Sequence, residues 1–497
     1  MIKRNDSERY ILGLDNGGTY IKAALYTEKG RQLAVSKCRN HLVMPQPNYA
    51  EYDQDELWNA NCNSIKDLIC TAGIDPSEIA VIGISGQGGG FYAIDDKGES
   101  VRNAIASSDR RALSIINEWK SLGIGDALYN KIFRFLLSGH LSAILAWLKQ
   151  NEPENYSRIY RLFSMKDYLI YRLTGECVAG YDCLSVSGLM DLNTLHFDAD
   201  IADKLGISEA ANKFGRLVWS TDICGYVSEE AAKRCGCLAG TPVAAGLHDV
   251  NASALAMGAT TEEHPFIITG THAINGYVTD QPVLNRIIKN NELFAYKGKF
   301  LIEEGYPASS ATLDWVLSIL FDRNDDPQSR YVEVDAMVES VPDETELPFF
   351  FPFLRGHRDD PTARGAWSNL GPEDTKATML KAVYEGVVFS HMIQIEYLFD
   401  GRERPSVFRI AGGATSSAAW IHMFADALGA TVEIIPTKEM GTKGVAIASS
   451  VACGIYDSIE TAIQVMEDGV TRIEPDFEKH ALYQKRYARF KELVQRT

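Results

Sequence analysis

Two segments about half a chain apart share one design, and this repetition constrains the fold more than any other feature. Residues 10–26 read YILGLDNGGTYIKAALY, and residues 265–278 read PFIITGTHAINGYV. In each segment an apolar run, a Gly/Thr turn and a second apolar run follow one another, which predicts a β-hairpin. Glycines in such a turn let backbone N–H groups approach an anion closely. The sequence therefore predicts two related halves, each with one phosphate clamp.

Further strands and helices are predicted outside the hairpins. The predicted strands are 79–84, 243–247 and 408–411, and each ends at glycine or polar residues. Ligand-binding residues gather at such strand ends in open α/β sheets. The predicted helices are 141–150, 379–392, 416–428 (with Ser416 or Ser417 near its N-cap), 440–452 (rich in small residues) and 481–494 (charged and amphipathic, with a solvated face). The pattern predicts an α/β fold.

The charge of the chain excludes two classes of partner. The 497 residues carry a formal net charge of −17, with 45% hydrophobic and 23% charged residues. An acidic surface argues against nucleic acid and against anionic membranes as partners. The polar start is unlike a signal peptide, and no apolar run approaches the ~20 residues of a membrane span. Nine cysteines without framework spacing are typical of a reducing compartment, so we expect a cytoplasmic protein.

The first hairpin carries a carboxylate and a cation beside its turn. Asp15 directly follows the predicted first strand, Tyr10–Leu14, and Mg²⁺ often binds such a carboxylate through water. Gly17, Gly18 and Thr19 can donate to phosphate oxygens, and Lys22 can place a positive charge near the same phosphates. A plain hairpin turn would also explain the Asn-Gly pair.

The second hairpin repeats the turn chemistry with Gly270 and Thr271, and a triphosphate can be held between two such clamps. Residues 411–417, AGGATSS, then join a strand to a helix. Their small side chains let a flat ring lie against the backbone, and a helix N-terminus favours negative groups. A helix-start turn that needs only glycine is the alternative.

Three further places offer polar groups for a substrate. Asp249 stands at a strand end and can accept a proton from a hydroxyl, although helix N-capping is a common duty of Asp. His248 beside it is read as a packing or hydrogen-bonding residue. Asp109, Arg110 and His140 can bind sugar hydroxyls, with a capped helix start and surface arginines as the alternative for the first two.

Together these motifs resemble the FGGY carbohydrate kinases of the actin-like ATPase superfamily. The matching pieces run from Tyr10 to about Gly454 and read, in order, LGLDNGGTYIKAALY, GISGQGGG, IASSDRRA, KDYLIYRLTGE, GTPVAAGLHDVNASALAMG, TGTHA, FFPFLRGHRDDPTARGAWSNL, EGVVFSHM and IAGGATSSAAWIHMFADALGATVEI. The resemblance implies two actin-like (ribonuclease H-like) domains, each a twisted mixed sheet flanked by helices, with a cleft between them. Residues 1–252 would hold the sugar and the first phosphate clamp, and residues 253–497 would bind the nucleotide.

The resemblance also implies a role for each matching position, with ATP and Mg²⁺ as the bound groups. The catalytic base matches Asp249, and the magnesium-associated acid matches Asp15. Phosphate-binding positions match Thr19, Lys22, Gly270 and Thr271, with Gly17 and Gly18 in the first turn. Adenosine and nucleotide positions match Gly412, Gly413, Ala414, Ser417, Ser310 and Asp314. Gln87 opens a segment that lines the sugar pocket.

Within the family, the chain looks most like the L-xylulose kinases. This likeness rests on SSDRRA at 107–112, NEPE at 151–154 and EGVVFSHM at 385–392. It implies L-xylulose, phosphorylated at position 5, or 3-keto-L-gulonate as the acceptor, and it leaves a homodimer open. D-ribulose, D-xylulose, erythritol and gluconate remain alternative acceptors. An actin-like ATPase and a non-catalytic sugar sensor are the remaining alternatives.

Two departures from the family pattern bear on the substrate. Gln87 is followed by Gly88-Gly89-Gly90, where D-xylulose kinases resemble GQMHG and glycerol kinases place Arg-Glu. The glycines remove those side chains from the pocket wall, which argues against both substrates. A loop that carries an acidic residue in the family reads Gly356-His357-Arg358 here. Whether Asp359 or Asp360 replaces that acid stays open from the sequence.

Overall fold

The computed structural model describes residues 9–270, 272–306, 308–321, 327–354, 356–358, 360 and 362–495, without the side chains of 327–329. Two of the positions discussed above, Thr271 and Asp359, lie outside these residues. Within the described part of the chain, no helix is both long and apolar enough to cross a membrane.

The strands of the first half are β1 (Tyr10–Asn16), β2 (Tyr20–Thr27), β3 (Gln32–Arg39), β4 (Glu51–Tyr52), β5 (Ile79–Gly86), β6 (Tyr92–Ile94), β7 (Ala104–Ile105), β8 (Arg161–Phe163), β9 (Val178–Gly180), β10 (Met190–Asp191), β11 (His196–Phe197), β12 (Arg216–Val218), β13 (Ile223–Tyr226), β14 (Pro242–Ala244) and β15 (Leu247–His248). Those of the second half are β16 (Phe266–Thr269), β17 (Ala273–Thr279), β18 (Asn290–Leu293), β19 (Phe300–Tyr306), β20 (Phe349–Phe351), β21 (Ala366–Ser368), β22 (Val407–Gly412), β23 (Thr431–Ile434) and β24 (Thr471–Ile473).

The helices of the first half are α1 (Gln54–Ala72), α2 (Leu113–Ser121), α3 (Ile124–Ile132), α4 (Leu141–Asn151), α5 (Pro153–Arg158), α6 (Met165–Thr174), α7 (Tyr181–Ser187), α8 (Ala199–Lys204), α9 (Glu229–Cys235) and α10 (Asp249–Ala256). Those of the second half are α11 (Ala311–Leu320), α12 (Pro327–Glu339), α13 (Lys376–Leu398), α14 (Ala418–Leu428), α15 (Met440–Ala452), α16 (Ile459–Met466) and α17 (Phe477–Val494). Short 3₁₀ helices span Pro76–Glu78, Ser208–Lys213 and Gly413–Ser416.

Two large mixed sheets organise the chain, and the predicted α/β class with two sheet-based halves is confirmed. The first sheet has the order β13-β14-β5-β1-β2-β3, with β15 also paired to β5. The second has the order β18-β19-β17-β16-β22-β23-β24. Each contains a predicted hairpin, β1–β2 or β16–β17, whose first strand runs parallel to a later strand, β5 or β22.

Two helices of small residues, α10 and α15, pack against each other between the two sheets. Their side chains contact apolar residues of both sheets. Close approach depends on glycine: a Cβ on Gly444 of α15 would lie 1.9 Å from the Ala252 carbonyl oxygen of α10. A Cβ on Gly13 of β1 would likewise lie 2.4 Å from the Thr442 carbonyl oxygen of α15. Because Asp249 begins α10, this packing fixes the position of the predicted base.

Other helices cover the outer faces of the sheets. Helices α1, α6 and α9 bury their apolar sides on the first sheet, and α11, α13, α14 and α17 do so on the second. Helix α17 buries Tyr483, Tyr487 and Phe490, so it packs more closely than its charged sequence predicted. Apolar burial of this kind, at roughly 25 cal/mol per Å², is the main stabilising contribution in such a fold.

One strand prediction needs correction. The apolar run 243–247 forms two short strands, β14 and β15, because the chain turns sharply at Gly246. Its φ is +67°, and a Cβ there would lie 1.9 Å from the Ile84 carbonyl oxygen. Only glycine fits this conformation and this space. The break redirects the chain so that β15 leads directly into α10.

Candidate active site

The first hairpin places its predicted charged residues together. Asp15 and Lys22 face each other across β1 and β2. Lys22 Nζ lies 2.6 Å from a carboxylate oxygen of Glu439, just before α15. A Cβ on Gly441, in the first turn of α15, would lie 2.3 Å from Cγ of Asp15, so glycine makes room for the carboxylate. Burial raises the pKa of Asp15 to about 6, with Lys22 opposing the shift and the Asp249 carboxylate adding to it.

The turn of this hairpin is held by its own backbone. Gly17 N–H donates to the Tyr20 carbonyl, and the Gly17 carbonyl accepts from the Asn40 side chain at 2.9 Å. Gly18 and Thr19 at the tip are exposed. The turn is therefore rigid at its base and open at its tip, where a phosphate would approach.

Asp249 is the first residue of α10 and keeps its side chain 37% exposed. Its Oδ1 accepts the N–H of Val250 at 2.9 Å and lies 3.0 Å from Nε2 of His248. Among the described residues, no hydrogen bond engages Oδ2. The carboxylate thus has one anchored oxygen and one oxygen available to a substrate.

A buried charge network supports the chain just before Asp249. The His248 N–H donates to Oδ2 of Asp182 at 2.6 Å. The ammonium of Lys166 lies 2.8 Å from Asp167 and 3.5 Å from Asp182. Burial disfavours that charge, but the two carboxylates outweigh it and hold the pKa of Lys166 well above its ordinary value. Asp182 therefore joins helix α7 to the backbone that carries the predicted base.

The Gln87 segment comes close to both the first hairpin and His248. Gln87 accepts from the Ser107 hydroxyl at 3.0 Å, and its amide nitrogen lies 3.2 Å from where a Cβ on Gly18 would be. A Cβ on Gly88 would lie 2.7 Å from Cδ2 of His248. The glycine that departs from the family pattern thus leaves space that the imidazole fills.

His140 lies at the start of α4, behind the Gln87 segment. A Cβ on Gly89 would lie 2.9 Å from the carbonyl oxygen of Gly139, so the two loops are in contact. His140 is buried, and its Nδ1 accepts the Leu137 N–H at 3.2 Å. Burial, aided by the charge of Arg134, holds the pKa of His140 well below its ordinary value. A neutral imidazole here accepts the Leu137 N–H and so stabilises the loop before α4.

The Asp109 carboxylate has several partners within the protein. Its carboxylate is buried and accepts the Ala50 N–H at 2.7 Å and the Arg111 guanidinium at 2.9 to 3.1 Å. Arg111 in turn binds Glu51 at 2.7 Å. With its oxygens used in this way, Asp109 holds the loop together, and its contact with the sugar stays a prediction. Arg110 is exposed.

The second hairpin is joined to the small-residue turn by a threonine. The Thr269 hydroxyl donates to the Ala411 carbonyl and accepts the Ala414 N–H, both at 3.0 Å. Gly412 has a φ of +103°, and a Cβ there would lie 2.1 Å from the Thr269 carbonyl oxygen. Only glycine allows the two strands to end this close together.

Helix α11 begins at the same place. The Ser310 hydroxyl donates to the carbonyls of Thr269 and Gly270 at 3.2 and 3.3 Å. A Cβ on Gly413 would lie 2.6 Å from that hydroxyl. The structure therefore brings together Gly270, Ser310, Gly412, Gly413 and Ala414, as expected of one nucleotide site.

Ser417 and Asp314 have partners of their own. Ser417 caps α14 by accepting the Trp420 N–H, and its hydroxyl donates to Asp335 at 2.7 Å. The Asp314 carboxylate accepts from the Tyr331 hydroxyl. In the Gly356 loop, Asp360 accepts from Thr362 of its own turn. Local bonds thus engage the side chains of these three residues.

Sequence reasoning missed several residues beside the site. They are Glu292, Arg134, Asp182, Glu439 and Asp335. Each lies on an element distant in sequence from the motif that it supports, so no local pattern marks it. The run Gly88-Gly89-Gly90 was the one signal in the sequence that could have indicated close packing here. Where three side chains are missing, another group must fill the space.

The acidic residues present suit a magnesium ion that is shared with phosphates. Among the described residues, no cluster of three or more His, Cys, Asp or Glu could hold a metal by itself. Mg²⁺ is usually bound by one or two carboxylates together with waters and substrate phosphates. Asp15, with room made by Gly441 and with Asp249 near enough to affect its pKa, fits that kind of site.

Comparison with known proteins gives matches over nearly the whole chain. Residues 10–256 match the N-terminal domain of the FGGY family of carbohydrate kinases, and residues 266–453 match its C-terminal domain. The chain is 34% identical to the L-xylulose/3-keto-L-gulonate kinase of Escherichia coli strain K12, covering 98% of the chain and 97% of that protein. It is 32% identical to the probable L-xylulose kinase of Pasteurella multocida strain Pm70, covering 98% of each.

The fold also matches a solved structure. Against the crystal structure of ligand-bound xylulose kinase from Lactobacillus acidophilus, the TM-score is 0.89 with 24% identity, and 98% of each chain is covered. At 24% sequence identity this match shows a shared fold and nothing about the substrate.

Proposed function

The chain belongs to the FGGY family of carbohydrate kinases, as its motifs indicated, and on that basis we propose that it phosphorylates L-xylulose or 3-keto-L-gulonate with ATP and Mg²⁺. The product of the first reaction would be the 5-phosphate. The transfer of a phosphoryl group to a sugar is the activity of the family, and the acceptor is the proposed part.

The main observation behind the proposed role of Asp249 as the base is its position. Its charge raises the pKa of Asp15 in the first hairpin. Its neighbour His248 fills the space beside Gly88 in the Gln87 segment. One carboxylate therefore stands between the predicted phosphate side and the predicted sugar side, where a base for the acceptor hydroxyl is needed.

In this mechanism the protein mainly positions groups and balances charge, because the transition state of phosphoryl transfer is loose. Asp249 accepts the proton of the sugar hydroxyl through Oδ2. Backbone amides of Gly18 and Thr19, with Lys22 nearby, hold phosphate oxygens. Bound near Asp15, Mg²⁺ would supply positive charge to the phosphates.

The nucleotide would lie on the second sheet. Gly412, Gly413 and Ala414 present a surface with little side chain, on which a flat ring can rest, and Gly270 and Ser310 border it. Because Ser417 and Asp314 have other partners, we assign them a supporting role. Gln87 and Ser107 would face the sugar.

The proposed acceptor is supported by the relatives. The protein from Escherichia coli is named for both L-xylulose and 3-keto-L-gulonate, and the one from Pasteurella multocida for L-xylulose. The Gly88-Gly89-Gly90 run supports the same choice, because it lacks the side chains that D-xylulose and glycerol kinases place there. D-ribulose, erythritol and gluconate are the alternatives within the family.

A coupled assay of ATP consumption tests the proposal. The purified protein with Mg²⁺ is offered L-xylulose, 3-keto-L-gulonate, D-xylulose, D-ribulose, erythritol, glycerol and gluconate in parallel. We expect the highest kcat/KM with one of the first two. A preference for another acceptor would overturn the substrate and keep the kinase. ATP consumption that no sugar stimulates would favour an ATPase, and none at all would favour a sugar sensor.

A further inference from the structure

His248 lies between two carboxylates, one of them that of the proposed base. Its Nδ1 is 2.9 Å from Oε1 of Glu292, and its Nε2 is 3.0 Å from Oδ1 of Asp249. An imidazole can donate at both nitrogens only when it is protonated. Burial alone would lower the pKa of His248, but Glu292 and then Asp249 raise it well above its ordinary value. The two carboxylate contacts and the raised pKa both favour the imidazolium form of this side chain.

Packing and hydrogen bonds around His248 restrict the orientation of its ring. Gly88 lies against one side, so close that a Cβ would be 2.7 Å from Cδ2. On the far side, Glu292 is itself held by the Asn251 amide at 3.2 Å and lies 3.7 Å from Nη1 of Arg134. The His248 backbone is fixed through Asp182. Segments that are far apart in the sequence thus determine where Nε2 points.

We propose that His248 is a positioning residue for phosphoryl transfer: its Nε2–H holds Oδ1 of Asp249, so that Oδ2 faces the acceptor hydroxyl. This inference rests on the proposed function. In the step that it serves, the hydroxyl O–H bond breaks and its proton goes to Oδ2. The sugar oxygen bonds to the γ-phosphorus while the bond from that phosphorus to the bridging oxygen breaks, and its electron pair leaves with ADP.

The physical reason is the freedom of an aspartate at a helix start. The Asp249 side chain is more than a third exposed, and within the described part of the chain the N–H of Val250 is the one other donor to its carboxylate. Without the imidazolium the carboxylate can rotate, and misplacing a reacting group by about 1 Å can cost ~100-fold in rate. A buried donor that is itself held at its second nitrogen removes this freedom.

Two amide substitutions of His248 test whether it positions Asp249 or only supports the fold. In His248→Asn the amide takes the place of Nδ1 and keeps the contact with Glu292. In His248→Gln the amide reaches the place of Nε2 and keeps the contact with Asp249. We expect His248→Asn to lower kcat about 10- to 100-fold, and His248→Gln to stay within about 5-fold of the wild type. The KM for ATP should remain near that of the wild type in both.

Equal kcat values in the two variants, or a more active His248→Asn, would overturn the proposal. Gly88→Ala provides a second measurement, because it leaves both partners in place and displaces only the ring. We expect it to lower kcat, and a kcat equal to that of the wild type would overturn the proposal even if neither His248 variant folds. All ratios are measured with the acceptor that the wild type prefers. A wild type that phosphorylates no sugar would instead overturn the proposed function, and this inference with it.

Discussion

The two hairpins of this chain share a strand-pairing pattern and differ in the chemistry of their side chains. In both, the first strand of the hairpin runs parallel to a later strand, β1 to β5 and β16 to β22. In both, the end of that first strand meets the start of a helix or helical turn. Asp15 meets Gly441 at the start of α15, and Thr269 binds Ala414 in the 3₁₀ turn before α14.

The side chains at these equivalent places differ in charge. The first hairpin has Asp15 and Lys22, with Glu439 paired to the lysine. The second has the hydroxyls of Thr269 and Ser310. Charged groups suit the metal and the transferred phosphate, while neutral small ones suit an uncharged ring and phosphates that backbone N–H groups hold. One scaffold used twice can thus divide nucleotide binding and catalysis, with the residue at the strand end deciding which part each copy takes.

The largest effect on activity is expected from Asp249→Asn, beside the charged first hairpin. The amide cannot accept the hydroxyl proton, so kcat should fall by about 10²- to 10⁴-fold. ATP binding, measured by calorimetry, should be nearly unchanged because Asp249 is assigned to the acceptor hydroxyl and other residues hold the nucleotide. Asp280→Asn, an exposed partner of Lys299, is the control and should keep full activity. A variant with more than about a tenth of the wild-type kcat would remove Asp249 from the role of base.

Asp15→Asn should lower kcat by about 10²-fold and also stabilise the protein. The folded pKa of Asp15, about 6, lies above its ordinary value of 3.8, so the folded state binds this proton more tightly than the unfolded chain. The charged carboxylate therefore destabilises the fold as pH rises from ~4 through 6, by at most about 3 kcal/mol.

The check is denaturant unfolding in the presence of EDTA. At pH 7.5 the free energy of unfolding should be about 1 to 3 kcal/mol higher for Asp15→Asn than for the wild type. At pH 4 the two proteins should be equally stable, because Asp15 is protonated in the folded wild type. If the two proteins were equally stable at both pH values, burial would not raise the pKa of Asp15.

Beside the second hairpin, Gly412→Ala should weaken nucleotide binding and leave sugar binding unchanged. Its φ of +103° and the Thr269 carbonyl oxygen 2.1 Å from the new Cβ both oppose a side chain. We expect a loss of about 1 to 3 kcal/mol in stability and a KM for ATP raised about 10-fold. Gly401→Ala, with a φ of +69° and open space around it, controls for backbone strain alone. A raised KM for the sugar would contradict the division between the hairpins.

The smallest effect is expected from the ion pair between Lys22 and Glu439. Lys22→Met removes a cation from the phosphates and should raise the KM for ATP several-fold, whereas Glu439→Gln should leave it unchanged or lower it. Each change should cost no more than about 1 kcal/mol of stability, since the pair is partly exposed. If Glu439→Gln raised the KM as much as Lys22→Met, the glutamate would be needed to orient the lysine.

The local elements of the site followed from sequence patterns. Both hairpins, the cap of α14 at Ser417 and helix α15 at residues 440–452 lie where alternation, glycine and small residues predicted them. These features depend on residues adjacent in the chain, and local backbone preferences decide them. The motif around Asp249, read with the others, was also enough to indicate the family.

Only the tertiary structure decided which polar groups are available. Asp109 looked like a sugar ligand in sequence, yet Arg111 and the Ala50 N–H use its oxygens. The sequence predicted a packing or hydrogen-bonding role for His248 without naming a partner. Glu292, from a strand more than 40 positions away, makes it a charged partner of the proposed base. Burial and ion pairing depend on distances between elements remote in sequence. Those distances are set by how the elements pack against one another in the folded chain, which no local pattern records.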